Sequence, residues 1–367
     1  MNINGDNLRL LVLDSYSETG LKINNHLNVM RNKPADNSYL LDFETSRFKN
    51  GEAKLVIKDS IRCKDAYILL DVGNYGCTYE MFGHTNIYSP DEHFQDLKRA
   101  LSAIKNTADR ITVIMPLLYA SRQHKRKARE SLDCAMALQE LQFLGVKNII
   151  TFDAHDPNVQ NAIPNLSFEN FYASNVILKT FIKENEVDVN KLIVISPDTG
   201  AMDRALYYAG ILGVDVGMYY KRRDVSKVVN GKNPVFAHEY MGKNVKGSDV
   251  IIVDNIIASG DSMLDVAKQL KANGANNIYL MSTFAIFTEG TKRFEDAYNQ
   301  KLFKKMYSTN LSYIPDVIKT YEWFGEADCS KFIAKIINTL NSDESMSPLL
   351  QGNQKVIDLI NEKIKKN

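Results

Sequence analysis

The chain has 367 residues, 44% of them hydrophobic and 24% charged, which is the composition of a globular protein large enough for two ordinary domains. A formal net charge of +1 argues against nucleic acid or an anionic membrane as partner. No apolar run approaches the ~18 residues of a spanning helix. MNINGDNLRL lacks a signal-peptide pattern, and Cys63, Cys77, Cys134 and Cys329 are scattered without a CxxC. A cytoplasmic α/β protein without structural zinc or disulfides is therefore expected.

Along the chain, strands are expected at 9–13, 39–43 and 66–70, followed by a turn-rich surface excursion at 75–90 and a helix at 91–105. A strand at 111–115, a helix at 127–144, a strand at 148–152 and a helix at 171–184 come next. Strand 192–195, helix 201–210, strands 215–219 and 250–253, helix 262–272 and strand 277–282 complete the series. These strands are near-continuous Ile/Val/Leu runs, the pattern of strands buried on both faces, so parallel sheets covered by helices are predicted. The alternation suggests two doubly wound units meeting near residues 155–165. Residues 353–367 form a lysine-rich amphipathic pattern with Val356, Ile357, Leu359, Ile360 and Ile364 on one side. Packing on its own domain or a neighbouring subunit is the plainer reading of that tail than membrane binding.

Open parallel sheets bind ligands beyond the carboxyl ends of their strands. In this chain those ends lead into PLLYASRQHKRKARE, DAHD, SPDTGAMDRA, YKRRD and DNIIASGDS. Together they deliver Arg, His, Asp, Lys and a glycine loop toward one edge, the inventory of an anion and metal site. In the last of them, Ala258, Ser259, Gly260, Asp261 and Ser262 can turn backbone N–H groups toward one point at a helix N-terminus. Asp254 just before the loop suits ribose hydroxyls, which need acceptors. An ordinary strand–loop–helix connection with a serine cap is the alternative. Neither GxxxxGK[ST] nor GxGxxG occurs, which counts against a Walker-type NTPase and a dinucleotide dehydrogenase. The basic stretch 122–129 could suggest nucleic acid, but it lacks interleaved aromatics.

A strand ending in an acidic residue, then a small-residue S-G-x-S loop, resembles the phosphoribosyl-binding signature of type I phosphoribosyltransferases. The other motifs narrow the resemblance to ribose-phosphate pyrophosphokinases, the PRPP synthetases. RFKNGEAKLVI is similar to that family's RFSDGE segment, YASRQHKRKARE to its YARQD…RE, and ITFDAHD to its TxDLH. VISPDTGAMDRA resembles VSPDxGGxxRA, YYKRRD resembles DKRRP, and SDESMSPLL resembles the end of the last helix. The series is collinear from about residue 40 to 350.

The resemblance implies two phosphoribosyltransferase-like α/β domains, 1–160 on the ATP side and 161–329 carrying the ribose 5-phosphate loop. Residues 330–350 would fold back on the first, with 351–367 as a helical extension. It implies Mg²⁺-dependent transfer of pyrophosphate from ATP to the 1-hydroxyl of ribose 5-phosphate, giving PRPP and AMP. Lys221 and Arg223 would be catalytic, on a mobile loop. Phe48, Asn50 and Glu52 would contact adenine from a neighbouring subunit, with Arg122, Gln123 and His155 also at ATP. His155 and Asp198 would position the metal. Asp254, Asn255, Ala258, Ser259, Gly260, Asp261 and Ser262 would hold ribose 5-phosphate. A dimer-based homo-oligomer is implied, a hexamer among the sizes this allows. The inventory is physically sensible, because phosphoryl-type transfer needs chiefly alignment and cancellation of about six negative charges.

Several residues depart from the family pattern. Asn255 replaces a second acid; it accepts hydrogen bonds but brings no charge to a metal. Ala258 and Asp261 stand where an acid and a glycine are usual, and a carboxylate at 261 repels phosphate unless it points away. His124 stands where an acid is usual, Ser131 replaces a proline and Ala135 a lysine. DPNVQNAIPN lacks the family's paired phenylalanines, and the 75–90 excursion is extra. An active enzyme is favoured over a regulatory, non-catalytic member. A phosphoribosyltransferase is disfavoured by the RFKNGE and SRQ segments, which a one-domain transferase does not need.

Overall fold

The computed structural model describes residues 7–223, 235–350 and 353–364, without the side chains of 221–223, 235–238, 355, 363 and 364. The chain forms two compact units. The first is Met1–Ala173, Asn310–Pro315 and Asp328–Gln351; the second is Ser174–Thr309, Asp316–Ala327 and Gly352–Asn367.

In the first unit β1 (Leu8–Val12) leads to α1 (Ser17–Met30) and a hairpin of β2 (Phe43–Arg47) and β3 (Ala53–Ile57). Next come β4 (Asp65–Leu69), a second hairpin of β5 (Thr78–Met81) and β6 (His84–Ile87), α2 (Pro90–Ile104) and β7 (Arg110–Ile114). α3 (Asp133–Phe143), β8 (Asn148–Phe152) and β9 (Ser167–Phe171) follow. The main sheet, β1-β4-β7-β8-β9, is parallel throughout. The start of α2 is encoded locally: Ser89 and Glu92 form a reciprocal capping box and Pro90 occupies the first turn. Its stripe of Phe94, Leu97, Ala100, Leu101 and Ile104 joins one core cluster with Ile68 and Val113.

Four expectations need correction here. Residues 39–43 make only an isolated bridge, Leu10 to Leu40, and continuous pairing starts at Phe43 because its partner is the neighbouring hairpin strand. The helix expected from 127 starts at Asp133, since Gln123 donates to the Ser131 carbonyl (2.8 Å) and holds the basic stretch as an exposed loop. The helix expected from 171 starts at Ser174, because Phe171 closes β9. The unit boundary lies after Ala173 instead of at 160, since β9 pairs with β8 from Ser167 to Phe171.

The second unit opens with α4 (Ser174–Glu184), β10 (Leu192–Ser196), α5 (Met202–Leu212), β11 (Asp215–Arg223) and β12 (Val235–Met241). It continues through β13 (Asp249–Ile257), α6 (Asp261–Ala272), β14 (Ile278–Ala285), α7 (Lys292–Asn299), β15 (Lys305–Thr309), α8 (Asp316–Lys319) and β16 (Phe324–Ala327). Strand order is β12-β11-β10-β13-β14-β15-β16, with only the β11–β12 pair antiparallel. The chain winds outward from β10 through β11 and β12, then crosses back to β13 on the other side. The β10/β13 boundary is thus a topological switch point, where such sheets open a crevice at their carboxyl ends. β10 and β14 are buried at every position, as their apolar runs require.

α9 (Ser330–Asn341) and α10 (Ser347–Leu350) belong to the first unit. Arg31 donates to Asn338 (2.8 Å) and Asn341 (2.7 Å). Arg110 forks the buried Asp65 carboxylate at 2.9 and 2.6 Å and reaches Asp343 at 2.7 Å. Asn310–Pro315 is fixed by Asp71, fully buried just past β4, which accepts from Ser312 Oγ (3.0 Å) and Tyr313 N (2.7 Å). Burial pushes the Asp71 carboxyl up to about 6, against the opposing pull of Gly73 and Tyr313 N–H.

α11 (Gln354–Ile364) packs on α4 and α5 of its own unit, burying Val356 and Ile360. Asn353 at its start accepts from Asn175 and Tyr207, each at 2.9 Å. No helix among the described residues is long and apolar enough to cross a membrane.

Candidate active site

At the switch point of the second unit, β13 runs buried from Val250 to Val253 and emerges half-buried at Asp254. Asp254 Oδ1 accepts from Asn255 N (2.7 Å), and Asn255 Oδ1 accepts from Ile256 N (2.9 Å). One lone pair of the Asn255 carbonyl is thereby occupied and a second remains, so the side chain can still accept as well as donate. Gly260 sits at φ +82°, and a Cβ there would lie 2.2 Å from the Phe294 ring, so glycine is required. α6 starts at the next residue. Among the described residues the Ser259 and Gly260 N–H groups make no hydrogen bond, which leaves them available to an anion.

Asp261 does not stand alone in this loop. Its Oδ1 is ion-paired with Arg293 near the start of α7, and its Oδ2 accepts from Ser259 Oγ (3.1 Å). Arg293 also pairs with Glu289 at 3.0 Å. Asp254, Ile256, Ile257, Ala258, Ser259, Gly260, Asp261, Ser262 and Met263 line one concavity, so the sequence-derived loop residues come together, all but Asn255 on the lining.

On the other side of the switch point, β10 ends in Ser196 and the chain turns at Asp198. The Asp198 Oδ1 caps the following turn, accepting from Gly200 N (2.8 Å) and Ala201 N (3.2 Å). β11 pairs with β10 only up to Met218, so residues 219–223 project beyond it, held by β12. Lys221 and Arg223 lie on this projection; their side chains are outside the described residues.

In the first unit, the adjacent ends of β7 and β8 gather the remaining polar groups. The turn Ser121–Gln123 exposes Arg122 and leaves Gln123 half-buried. His124 is held by a hydrogen bond to Ser121 O (3.1 Å); its Nε2 lies 3.3 Å from Asp156 Oδ2 without a hydrogen bond, and its ring packs 5.0 Å from the His155 ring. The Asn158 N–H, more than His124 and Lys125, holds the Asp156 carboxyl below the usual range, against a raising effect of burial. Asp153, which precedes this cluster, takes φ +45° and is buried, a strained conformation at a strand end. Sequence reasoning missed Asp156, although the second acid of DAHD marked it, and missed Arg293, for which no local motif exists.

Phe48, Asn50 and Glu52 form an exposed tip between β2 and β3, with Asn50 bonded to Glu52 at 2.9 Å. Among the described residues no hydrogen bond or ion pair joins this tip to Arg122, Gln123 or His155. Arg47 beneath it stacks on Tyr79 (4.3 Å) and Tyr88 (4.6 Å) and pairs with Asp96. The extra segment forms the β5–β6 hairpin, whose Phe82 and Gly83 take positive φ, as in a type I′ turn. Phe82 N donates to Lys49 O (3.0 Å), so the two hairpins support each other.

No group of three or more His, Cys, Asp or Glu among the described residues could hold a metal. Mg²⁺ keeps waters and takes one or two carboxylates beside substrate phosphates, so a sparse protein set fits an ion that arrives largely with a nucleotide. Both described bonds of the Asp198 carboxylate fall on Oδ1, and Oδ2 carries none among the described residues. His155, a nitrogen ligand, suits Mg²⁺ less and fits contact through water or nucleotide.

Residues 8–145 match the family model for the N-terminal domain of ribose phosphate pyrophosphokinase, and residues 170–312 match the phosphoribosyl transferase domain. The ribose-phosphate pyrophosphokinase of Mycoplasmopsis pulmonis is 27% identical over 303 residues, covering 82% of this chain and 86% of that protein. Ribose-phosphate pyrophosphokinase 2 of Schizosaccharomyces pombe is 28% identical over 306 residues, covering 83% and 87%. The fold is shared with the phosphoribosylpyrophosphate synthetase of Mycobacterium smegmatis, at a TM-score of 0.74 and 19% identity over 92% of this chain and 99% of that one. With both domain models matched in order and full-length relatives aligned across four-fifths of it, the chain belongs to the ribose-phosphate pyrophosphokinase family.

Proposed function

We propose that the chain is a ribose-phosphate diphosphokinase that moves the pyrophosphoryl group of ATP to the 1-hydroxyl of ribose 5-phosphate, releasing AMP. The observation that carries this reading is the switch point between β10 and β13, with an N–H-lined loop on one side and the Asp198 turn on the other. Ser259, Gly260 and Ser262, with the loop backbone at Ala258 and Asp261, hold the 5-phosphate. Asp254 accepts from the ribose hydroxyls, and Asn255 adds an amide beside it. Arg122 and Gln123 orient the ATP phosphates, and His155, steadied by His124 and Asp156, contacts the nucleotide. Asp198 would hold Mg²⁺, His155 would contribute through water, and the ion would supply charge neutralisation to the polyphosphate. Lys221 and Arg223 approach the transferring group, where negative charge redistributes as the β-phosphorus changes partners.

The exposed tip of Phe48, Asn50 and Glu52 fits delivery of an adenine contact to a neighbouring copy, hence a dimer-based homo-oligomer. Free, scattered cysteines fit a reducing cytoplasm. Asn255, Ala258 and Asp261 favour one second reading, a regulatory member that binds nucleotide or sugar phosphate without turnover. A kinetic comparison separates the two. Lys221→Ala in an active enzyme lowers kcat by at least ~100-fold with ATP affinity nearly unchanged, because its charge matters most in the transition state. Equal losses of affinity and turnover would remove Lys221 from that role.

A further inference from the structure

Asp261 poses a charge problem that the rest of the phosphate loop does not solve. It is the first residue of α6, where a bound phosphate dianion meets the helix N-terminus, and a carboxylate there opposes the anion. Its neighbour Ser259 gives its hydroxyl proton to Asp261 Oδ2 and so neutralises nothing. The one described cation on this carboxylate is Arg293.

Arg293 is delivered by the architecture. The segment before α7 is laced to the loop through Ile286 N to Ile257 O (2.9 Å) and Thr288 N to Ala258 O (3.1 Å). The next residue, Phe294, is fully buried against Gly260, which fixes the start of α7 against the loop. Arg293 Nη1 then meets Asp261 and Nη2 meets Glu289. A guanidinium carries five N–H donors in a rigid fork, so donors remain for a third acceptor.

We propose that Arg293 is the charge-compensating residue of the phosphate loop: shared between Asp261 and Glu289, it lowers the repulsion of Asp261 and turns its remaining donors to the phosphate of the bound sugar. This inference rests on the assignment of the loop to ribose 5-phosphate. It explains how a carboxylate is tolerated at 261, and it makes the loop selective for a dianion, because a neutral sugar gains nothing from Arg293. The ion pair is half-exposed, with side-chain exposures of 49% and 61%, so its removal leaves the fold intact.

The test is calorimetric titration of the full chain with ribose 5-phosphate and with inorganic phosphate, for wild type, Arg293→Ala, Asp261→Asn and the double variant. Arg293→Ala weakens both ligands by at least about tenfold. The double variant recovers to within about threefold of wild type, and Asp261→Asn alone binds as tightly or more tightly. Thermal melts of the four proteins verify folding. An Arg293→Ala protein that binds like wild type, or a double variant as weak as Arg293→Ala, overturns the inference and leaves the loop's assignment standing. A wild type that binds neither phosphate ligand removes the assignment and the inference together.

Discussion

His124 Nε2 lies 3.3 Å from Asp156 Oδ2, and the two side chains bridge the loops that follow β7 and β8. The family resemblance implies an acid at the position of His124. An acid there would set two carboxylates against each other, whereas the His124 ring adds no negative charge beside Asp156 and lies against the His155 ring at 5.0 Å. His124→Asp therefore raises KM for ATP by roughly tenfold through like-charge repulsion, with a smaller effect on kcat. Asp156→Asn in the same background recovers most of the loss. Steady-state kinetics of the single and double variants checks the coupling; additive effects would dissolve the pair.

Gly260 is bound to its residue type by two independent restraints, the left-handed φ and the Phe294 ring. Gly260→Ala costs about 2–4 kcal/mol, combining a left-handed penalty with overpacking. Urea unfolding of the second unit registers this as a lower midpoint at unchanged slope. An unshifted midpoint would contradict the close approach of Phe294.

Asp71 makes a pH-dependent contribution of a definite sign. Its folded-state value of about 6 exceeds the usual carboxylate range, so between about pH 4 and 6 the folded chain binds more protons at this site than the unfolded chain. Unfolding free energy from this group therefore falls as pH rises across that window, by about 3 kcal/mol in all, and is flat above it. Asp71→Asn removes the slope. The wild-type minus variant difference, from urea unfolding at pH 4, 5, 6 and 7, declines with rising pH; a constant difference would refute the assignment.

Arg110 anchors the returning helix α9 through Asp65, which is 2% exposed. Arg110→Ala leaves that carboxylate buried with its fork partner gone, and destabilises the first unit by about 3–5 kcal/mol. Hydrogen exchange locates the loss: amides of α9 lose protection first, while those of α11 are unaffected.

The sequence was most transparent where burial is uniform. β10 and β13 carry unbroken aliphatic runs, Leu192–Ile195 and Val250–Val253, so the strands could be placed, and with them the turn at Asp198 and the emergence of Asp254, although β13 continues to Ile257. It was opaque where tertiary contacts supply what composition lacks. β9 (SFENF) and β15 (KMYST) read as polar, and they are strands because a buried neighbour pairs with them. α1 hides its period behind buried Asn24 and Asn28, whose amides face Asn37. In the site, the loop residues are contiguous and legible, whereas Arg293 comes from the next helix and only folding brings it to Asp261. The tip at Phe48, Asn50 and Glu52 had no compositional signal and entered only through resemblance to the family.

The central claim is settled most directly by phosphorus NMR of the purified protein incubated with ATP, ribose 5-phosphate and Mg²⁺, beside a Lys221→Ala control. The account predicts AMP and PRPP in equal amounts from the wild type and both products formed at least ~100-fold more slowly by the control. Nucleotide binding without either product would contradict it and would turn attention to Asn255 and Asp261, in a chain that binds the substrates without joining them.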